Sequence, residues 1–310
     1  MRILVTGGAG FIGANFVRAA LAAGHQLAVF DNFSHGNSHY VADLPIQMIE
    51  GDILDARAII SEVAQNDVVV HLAAQTGVPG SLDDPYRDCQ LNVIGTLNVL
   101  EACRQAQRQP SPSMVFASSN APLGRQQPPA TEDKAPLPIS PYGASKLAAE
   151  GYCLAYHGSW GIKTIVLRFA NVYGPYSSHK GSVIAKFVKD LREQGTLTID
   201  GDGQQTRDFI YVDDLCQALL RSCESSVGGE VFQIATGVET SISDLAAMVA
   251  AAGGSALTTR YGPRRGGDIQ RNYSLIAKAC ELLKWEPRVG LAEGLQKTLQ
   301  WFDKMGLKLA

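Results

Sequence analysis

The 310-residue chain carries 27 basic and 30 acidic side chains, a formal net charge of −3 and a hydrophobic content of 45%. These values predict a folded globular protein, and they exclude a basic surface for nucleic acid or a polybasic membrane patch. No apolar run approaches the roughly 18 residues that span a bilayer, and the first residues do not resemble a signal peptide. The six cysteines form no CxxC pair, which favours free thiols in a reducing cytoplasm over disulfides or a metal site.

Short apolar segments alternate with helical segments through the first half of the chain. Strands that are apolar along their length and separated by helices are typical of a parallel sheet covered by helices on both faces. The predicted fold is therefore α/β, with a doubly wound sheet. The predicted strands are Ile3–Thr6, Gln26–Phe30, Ile46–Glu50, Asp67–Leu72, Met114–Ser118 and Thr164–Phe169. The predicted helices are Ile12–Ala23, Arg57–Gln65, Asp88–Gln107 and Tyr142–Trp160.

After about residue 171 the pattern loosens into shorter elements and polar, glycine-rich loops. We predict a cofactor-binding domain over residues 1–171 and a smaller α/β substrate domain over 172–310, which closes over the carboxyl edge of the sheet. A segment near 208–236 is predicted to return to the large domain, because Val231–Ala235 is a candidate strand. The proline-rich stretch Arg125–Pro141 predicts an irregular loop that forms a wall of the substrate site rather than a spacer.

The first predicted strand runs into VTGGAGFIG, where Gly7, Gly10 and Gly13 have the spacing GxxGxxG directly before a helix. Glycine permits a sharp turn, close approach of the backbone to a pyrophosphate and close helix–strand packing, and the helix N-terminus attracts phosphate. A strand, glycines and a helix in this order predict a Rossmann dinucleotide site, with Phe11 and Ile12 in the same turn.

Asp31 ends the second predicted strand, where a carboxylate accepts both ribose hydroxyls of an adenosine and repels a 2′-phosphate. This position favours NAD over NADP. Asp52 either faces the adenine edge or caps a helix, and His71 is predicted to be a packed strand residue rather than a catalyst. The remaining predicted cofactor contacts flank these strand ends or follow from the helices beside them: Asn32, Ile53, Leu72, Ala73, Ala74, Gln75, Asn92 and Phe169.

The stretch PYGASK places Tyr142 and Lys146 four residues apart on one face of a helix. A phenol with a pKa near 10 is a poor base at neutral pH unless its anion is stabilised. A lysine ammonium about 5 Å away contributes roughly 3 kcal/mol at an effective dielectric of 20, and a positive nicotinamide adds to it. We therefore predict that Tyr142 titrates near neutrality and acts as a base; the alternative is a tyrosine and a lysine merely at helical spacing.

These motifs, together with HLAAQ, NVIGTLNVLEAC, a serine after the fifth strand, LRFANVYGP, GDGQQTRDFIYVDDL and RRGGDI, resemble the extended short-chain dehydrogenase/reductase family over essentially the whole chain. The resemblance implies NAD in the large domain and a nucleoside-diphosphate sugar in the small one. It implies catalysis by Ser119, Tyr142 and Lys146. The substrate contacts that it implies are Ser119, Asn171, Arg207, Arg265, Asp268 and Asn272.

Members of this family differ in the residues that follow the serine. Sugar 4,6-dehydratases have an aspartate and a glutamate where this chain has Asn120 and Ala121, and UDP-glucuronate decarboxylases keep the glutamate. The chain thus lacks the acid–base groups of both reactions. The pattern most resembles 4-epimerases of the UDP-galactose type, which pass through a 4-keto sugar. The alternatives are an epimerase of a UDP-N-acetylhexosamine or UDP-uronic acid, another reaction of the family such as that of a dehydratase or reductase, and a non-catalytic dinucleotide sensor, against which the complete triad argues.

Three departures from the family pattern leave the substrate open. Asp200 stands where relatives carry an aromatic residue that stacks on the base, so UDP is the family expectation only, and APLG replaces VYG after Asn120. Asn272 stands where some epimerases carry a tyrosine that excludes N-acetyl sugars, so it leaves room for an acetamido group or alters contacts at C6. Relatives pair the helices predicted at Asp88–Gln107 and Tyr142–Trp160 between subunits, which implies a homodimer.

Overall fold

A computed structural model describes residues 1–178, 181–264 and 269–305. The strands are β1 Arg2–Thr6, β2 Gln26–Asp31, β3 Gln47–Glu50, β4 Val68–His71, β5 Ser113–Ser119, β6 Thr164–Phe169, β7 Asn171–Tyr173, β8 Leu197–Asp200, β9 Thr206–Arg207, β10 Phe209–Tyr211, β11 Glu230–Ile234, β12 Thr240–Ser241 and β13 Thr259–Gly262. The α-helices are α1 Phe11–Ala22, α2 Ala56–Ala64, α3 Val78–Asp83, α4 Pro85–Cys89, α5 Gly95–Gln105, α6 Pro141–Trp160, α7 Val183–Gln194, α8 Val212–Glu224, α9 Ile242–Ala252, α10 Ala277–Leu282 and α11 Leu291–Lys304.

A seven-stranded sheet of order β11-β6-β5-β4-β1-β2-β3 forms the centre of the molecule. Every neighbouring pair in it is parallel. The chain winds outward in both directions from the adjacent strands β1 and β4, so the predicted doubly wound fold is confirmed. The predicted strands agree with the observed ones to within one or two residues. The candidate strand Val231–Ala235 is β11, which pairs with β6.

Helices cover both faces of this sheet because successive strand side chains point to opposite sides. Ile3 and Val5 join a core under α1 and α8, whereas Leu4 between them joins a second core under α2, α5 and α6. The carboxyl ends of the strands remain between these layers, which is where ligands bind in sheets of this kind.

The helix predicted over Asp88–Gln107 is confirmed, since the chain is helical without interruption from Pro85 to Gln105. It contains a π-helical turn, Gln90–Ile94, between α4 and α5 that was not predicted. Asn92 lies in the π turn, where its side-chain oxygen accepts the backbone N–H of Gln75 at 2.9 Å. Its amide nitrogen lies within hydrogen-bond distance of three acceptors, Gln75 O (3.1 Å), Asp88 (3.0 Å) and Ser145 (3.0 Å), and its two hydrogens serve two of them at a time. Apolar periodicity cannot reveal this turn, because the bonds that accompany it come from a distant loop.

A buried ion pair fixes α6 to the sheet. Arg168 on β6 lies 2.7 Å from Glu150 on α6, and both side chains are less than 5% exposed, at 4% and 3%. Ser118 on β5 donates a hydrogen bond of 2.5 Å to the same carboxylate. The hydroxyl of Thr164 also donates to the carbonyl of Cys153, at 2.7 Å. The position of α6 is therefore set by two neighbouring strands.

Beyond β6 the strands other than β11 lie in two-stranded sheets, which pair β7 with β10, β9 with β12, and β8 with β13. A third core packs α7, α9 and α11 against β8 and β10. The division of the chain at residue 171 stays a prediction, and the separate core is consistent with it. Buried Asp208, between β9 and β10, accepts bonds of 2.8 Å from Thr236 N and 2.9 Å from Gly237 N in the loop that follows β11.

Candidate active site

The glycine-rich turn after β1 is packed too closely for any side chain. A Cβ atom added to Gly13 would lie 2.4 Å from the carbonyl oxygen of Gly7. One added to Gly7, whose φ is +69°, would lie 2.6 Å from the backbone nitrogen of Ala73. Gly10 begins α1 and donates a hydrogen bond to Gly7 O at 3.1 Å. The turn therefore presents bare backbone beside a helix N-terminus, as a pyrophosphate requires.

Phe11 and Ile12 contribute to this turn through their backbone. The side chain of Phe11 is buried in the first core, and that of Ile12 packs against the same core. If they contact a cofactor, the groups available are the N–H groups of the first helical turn.

Asp31 ends β2 beside the glycine turn. Its carboxylate accepts the N–H of Ala9 at 2.9 Å and that of Phe33 at 2.8 Å, and burial raises its pKa. Each carboxylate oxygen has a second lone pair, so both can still accept a ribose hydroxyl. The two backbone bonds thus hold Asp31, the residue predicted to bind the ribose, in place.

Asn32 and Asp52 lie side by side, with a bond of 3.0 Å from the amide to the carboxylate. Asp52 also accepts the N–H of Leu54 at 2.8 Å, whereas the N-cap of α2 is Asp55. The helix-capping alternative for Asp52 is therefore wrong, since Asp52 instead stabilises a turn. Ile53 is buried.

The segment after β4 follows the edge of the glycine turn. The N–H of Leu72 bonds the carbonyl of Thr6 at 3.0 Å, and that of Ala73 bonds the Thr6 hydroxyl at 3.3 Å. Ala74 and Gln75 continue along the same edge, with Gln75 held by Asn92 as described above. Phe169, at the end of β6, accepts a hydrogen bond of 3.2 Å from Asn120 N.

His71 is a buried strand residue, as predicted. Its ring nitrogens lie 2.6 Å from the hydroxyl of Thr6 and 3.1 Å from that of Thr96. Burial lowers the pKa of the ring to about 3. A neutral imidazole held by two hydroxyls is structural.

Ser119 and Tyr142 meet at the carboxyl end of β5. Ser140 caps α6 by accepting the N–H of Gly143 at 3.1 Å, which places Tyr142 in the first turn. The Ser119 hydroxyl lies near the Tyr142 phenol and lowers its pKa, against the larger effect of burial. The Ser119 oxygen accepts the N–H of Ala121 at 3.2 Å. A serine–tyrosine pair predicted from distant segments is therefore assembled.

Lys146 is buried one helical turn further on, with 3% of its surface exposed. Its ammonium donates to the carbonyl of Ala117 at 2.9 Å and lies 4.7 Å from the ring centroid of Phe116. Burial lowers its pKa to about 8, and burial raises the pKa of Tyr142 to about 12. For the chain alone, the prediction that Tyr142 titrates near neutrality is wrong, because desolvation outweighs the effect of Ser119.

Asn171 and Arg207 line one cavity of about 190 Å³ in the later part of the chain. The amide of Asn171 donates to Asp208 O at 3.1 Å. The guanidinium of Arg207 donates to the carbonyls of Thr206 and Ile269, at 2.6 and 2.7 Å. Both predicted substrate residues are thus held in fixed orientations at the same cavity.

Asp200 lines this cavity too, and Lys186 lies 3.4 Å from its carboxylate. The position where relatives carry an aromatic ring therefore presents an ion pair. The other two predicted contacts of the nucleotide, Arg265 and Asp268, lie outside the described residues.

Asn120 makes contacts that the sequence did not reveal. It is buried beside Ser119, and its amide donates to Ser274 at 3.2 Å and to the predicted gate residue Asn272 at 3.5 Å. Among the described residues its carbonyl oxygen has no hydrogen-bond partner. The sequence marked Asn120 only as a position without a carboxylate, because these bonds run to residues far along the chain.

The APLG departure forms a short turn that closes the proline-rich loop. Ala121–Leu123 is one turn of 3₁₀ helix, and Gly124 follows with a φ of +62°. A Cβ atom on Gly124 would collide with the carbonyl of Leu137. The loop thus folds back directly beside Ser119, consistent with its predicted place at the site.

Comparison with known proteins identifies the family. The model of the NAD dependent epimerase/dehydratase family matches residues 3–235. The chain belongs to this family. It is 38% identical to a UDP-glucose 4-epimerase of Mycolicibacterium smegmatis, over 97% of this chain and 98% of that relative.

Solved structures of family members superpose over almost the whole chain. A UDP-glucose 4-epimerase of Thermotoga maritima with UDP-glucose gives a TM-score of 0.93 at 36% identity, covering 98% of this chain and 99% of the other. The Thermus thermophilus UDP-glucose 4-epimerase in complex with NAD gives 0.89 at 35% identity, with coverage of 98% and 99%. Further relatives are named for UDP-N-acetylglucosamine and UDP-glucuronate epimerases and for dTDP-glucose dehydratases.

NAD is the cofactor of this family, and the geometry of this chain fits it. A Cβ atom at Gly7 or Gly13 would collide with neighbouring backbone, so only glycine permits this tight turn at the N-terminus of α1, and the Asp31 carboxylate is held beside it by the N–H of Ala9. Among the described residues there is no cluster of side chains that could hold a metal ion and no helix that could span a membrane.

Replacing Gly13 by alanine should weaken NAD binding at least about tenfold, because the new Cβ would lie 2.4 Å from Gly7 O and force the turn apart. Gly158→Ala is the matched control, since no atom lies within 4 Å of its added Cβ. Titration of both variants with NAD by calorimetry measures the difference. Equal affinities would contradict the role assigned to the glycine turn.

Proposed function

We propose that the chain epimerises a nucleoside-diphosphate sugar at C4 through a transient 4-keto intermediate, with a UDP-hexose of the glucose/galactose type as substrate. The observation that carries this proposal is the Ser119–Tyr142 pair beside buried Lys146, followed by uncharged Asn120 and Ala121. Such a site can remove and return the proton of a hydroxyl. It offers no carboxylate after Ser119 to eliminate water.

In this proposal Ser119 holds the hydroxyl of the reacting carbon and Tyr142 accepts its proton. Bound NAD supplies a reversible hydride acceptor. In the chain alone, with Lys146 in place, the Tyr142 phenol has a pKa of about 12 and keeps its proton near neutrality. A nearby positive charge favours the phenolate, and the positive nicotinamide of bound NAD would supply such a charge. Tyr142 then returns the proton when the ketone is reduced.

The cavity lined by Asn171 and Arg207 is proposed to hold the nucleotide. The planar guanidinium of Arg207 suits a diphosphate, and two backbone carbonyls already fix its orientation. Arg265 and Asp268 are proposed as further contacts on the strength of the family pattern. Asn272 and Asn120 are proposed to face the sugar, because they lie together beside Ser119.

A second candidate substrate is a UDP-N-acetylhexosamine. The small side chain of Asn272 favours it, since a tyrosine there would occupy space that an acetamido group needs. A UDP-uronic acid is the third candidate. One relative of this fold is named a UDP-glucuronic acid 4-epimerase and is 31% identical.

The deciding experiment incubates the purified protein with UDP-glucose, UDP-N-acetylglucosamine or UDP-glucuronic acid and follows the sugar protons by NMR. We expect one of them to convert to its C4 epimer with no lasting growth of NADH absorbance, because an epimerase regenerates its cofactor in each cycle. Tyr142→Phe serves as the blank. NADH that accumulates in proportion to substrate consumed would identify a net oxidation instead.

Tyr142→Phe should lower turnover by at least about three orders of magnitude, since general acid–base transfer contributes 10²–10⁴-fold. NAD should stay bound, because the change removes one hydroxyl and leaves the glycine turn and Asp31 intact. Turnover and NAD content are measured on the same preparation. A variant that keeps most of its activity would remove Tyr142 from the mechanism.

We also propose a homodimer that pairs α5 and α6 with their copies. A cytoplasmic location is proposed as well, since a reducing compartment would keep all six cysteines as free thiols. Leu100 on α5 is fully buried in the second core and so lies away from such an interface. The exposed apolar residues of the same region are Ile94, Tyr152, Leu154 and Trp160.

Light scattering at micromolar concentration should therefore give twice the monomer mass. The buried interface of such a dimer should exceed about 1,000 Å². Leu154→Glu should shift the mass toward the monomer, because it places a charge in an apolar contact. Exposed Leu257→Glu is the control outside these helices. A monomeric wild-type protein would count against the dimer.

A further inference from the structure

A buried carboxylate that the proposed reaction does not use lies next to the catalytic helix. Asp88 on α4 is completely buried. One of its oxygens accepts a hydrogen bond from Asn92 at 3.0 Å. Among the described residues the other oxygen has no hydrogen-bond partner in the geometry. Burial of a half-satisfied carboxylate is costly, so its presence calls for a compensating role.

Asp88 is connected to the turn of α6 that carries the catalytic pair. Asn92, which accepts the N–H of Gln75, also donates to the hydroxyl of Ser145 at 3.0 Å. Ser145 in turn donates to the backbone carbonyl of Tyr142 at 3.1 Å. A continuous set of bonds therefore runs from Asp88 to the residue before Lys146 and to the backbone of Tyr142.

Asp88 is also the anion best placed to balance Lys146. The other titratable groups that interact with this ammonium are His71 on β4 and Glu150 and Cys153 on its own helix. Burial keeps two of them neutral, because it lowers the pKa of His71 to about 3 and raises that of Cys153. Glu150 is committed to Arg168 at 2.7 Å.

We propose that Asp88 is a positioning residue, which holds Lys146 in its ammonium form and, through Asn92 and Ser145, fixes the first turns of α6. The mutual influence of the two charges agrees with this role. Burial lowers the pKa of Lys146 and Asp88 raises it. Burial raises the pKa of Asp88, while Ser145 and, to a lesser extent, Lys146 lower it. The catalytic consequence rests on the proposed function, whereas the charge of Lys146 can be followed through cofactor binding.

Removal of the Asp88 charge should make Lys146 lose its proton at lower pH. An ammonium that helps to hold the cofactor loses that contribution as the pH rises through its pKa, which is about 8 in the chain alone. Without the neighbouring anion the pKa of Lys146 falls, so the loss of cofactor affinity begins at lower pH, by about one unit.

The test measures the dissociation constant of NAD for the full chain at pH values from about 6 to about 10, a range that includes the pKa of Lys146. Asp88→Asn should move the midpoint at which affinity falls to lower pH by about one unit. Asp88→Glu, which keeps the charge, should restore the wild-type midpoint. Asp83→Asn, an exposed aspartate at the end of α3, is the charge-matched control and should leave it unchanged.

A midpoint that stays in place in Asp88→Asn would overturn the proposal, as would a loss of affinity that is equal at every pH, which is the signature of a purely structural role. Asp88→Ser, which is neutral and can still bond Asn92, is the second test of the same charge. If the sugar nucleotides are not converted at all, the proposed function fails but the NAD titration still decides the role of Asp88. Where conversion is observed, the alkaline limb of its pH profile should move with the NAD midpoint.

Discussion

A lysine ammonium kept almost entirely out of water is the constraint on which the arrangement of this site depends. Lys146 exchanges its hydration for one backbone carbonyl, at Ala117, and for the face of Phe116. Both groups belong to β5, so α6 must keep a fixed height and rotation against that strand. Any slip would leave a buried cation without its acceptor, at a cost of several kcal/mol. The same registration brings Tyr142 to Ser119 at the end of β5.

Much of the fold was predictable because its signals are local. Each parallel strand is apolar along its length, and each is followed by a helix, so the sheet and its covering helices follow from short windows of sequence. The π-helical turn at Gln90–Ile94 was not predictable in this way. Its bonds depend on Gln75, which lies outside the helix and contributes nothing to the apolar period.

The features of the site also differ in whether local sequence could predict them. The glycine turn, Asp31 and Tyr142 were predicted from their residue types and spacing, whereas Ser119 came from the family resemblance. For the chain alone the pKa of Tyr142 is higher than predicted, since helical spacing gives a distance to Lys146 but no measure of desolvation. Asp88 was missed altogether. A lone aspartate in a polar stretch is an ordinary surface residue until the fold buries it.

The ion pair between Arg168 and Glu150 separates two tasks within one chain. Because it ties α6 to β6 and, through Ser118, to β5, the proton-transfer groups are anchored entirely by the central sheet. The cavity at Asn171 and Arg207 is built largely from other strands. Under the proposed function, substitutions in that cavity would alter which nucleotide sugar fits without moving the Ser119–Tyr142 pair. The same separation would make the cavity the place to redesign specificity.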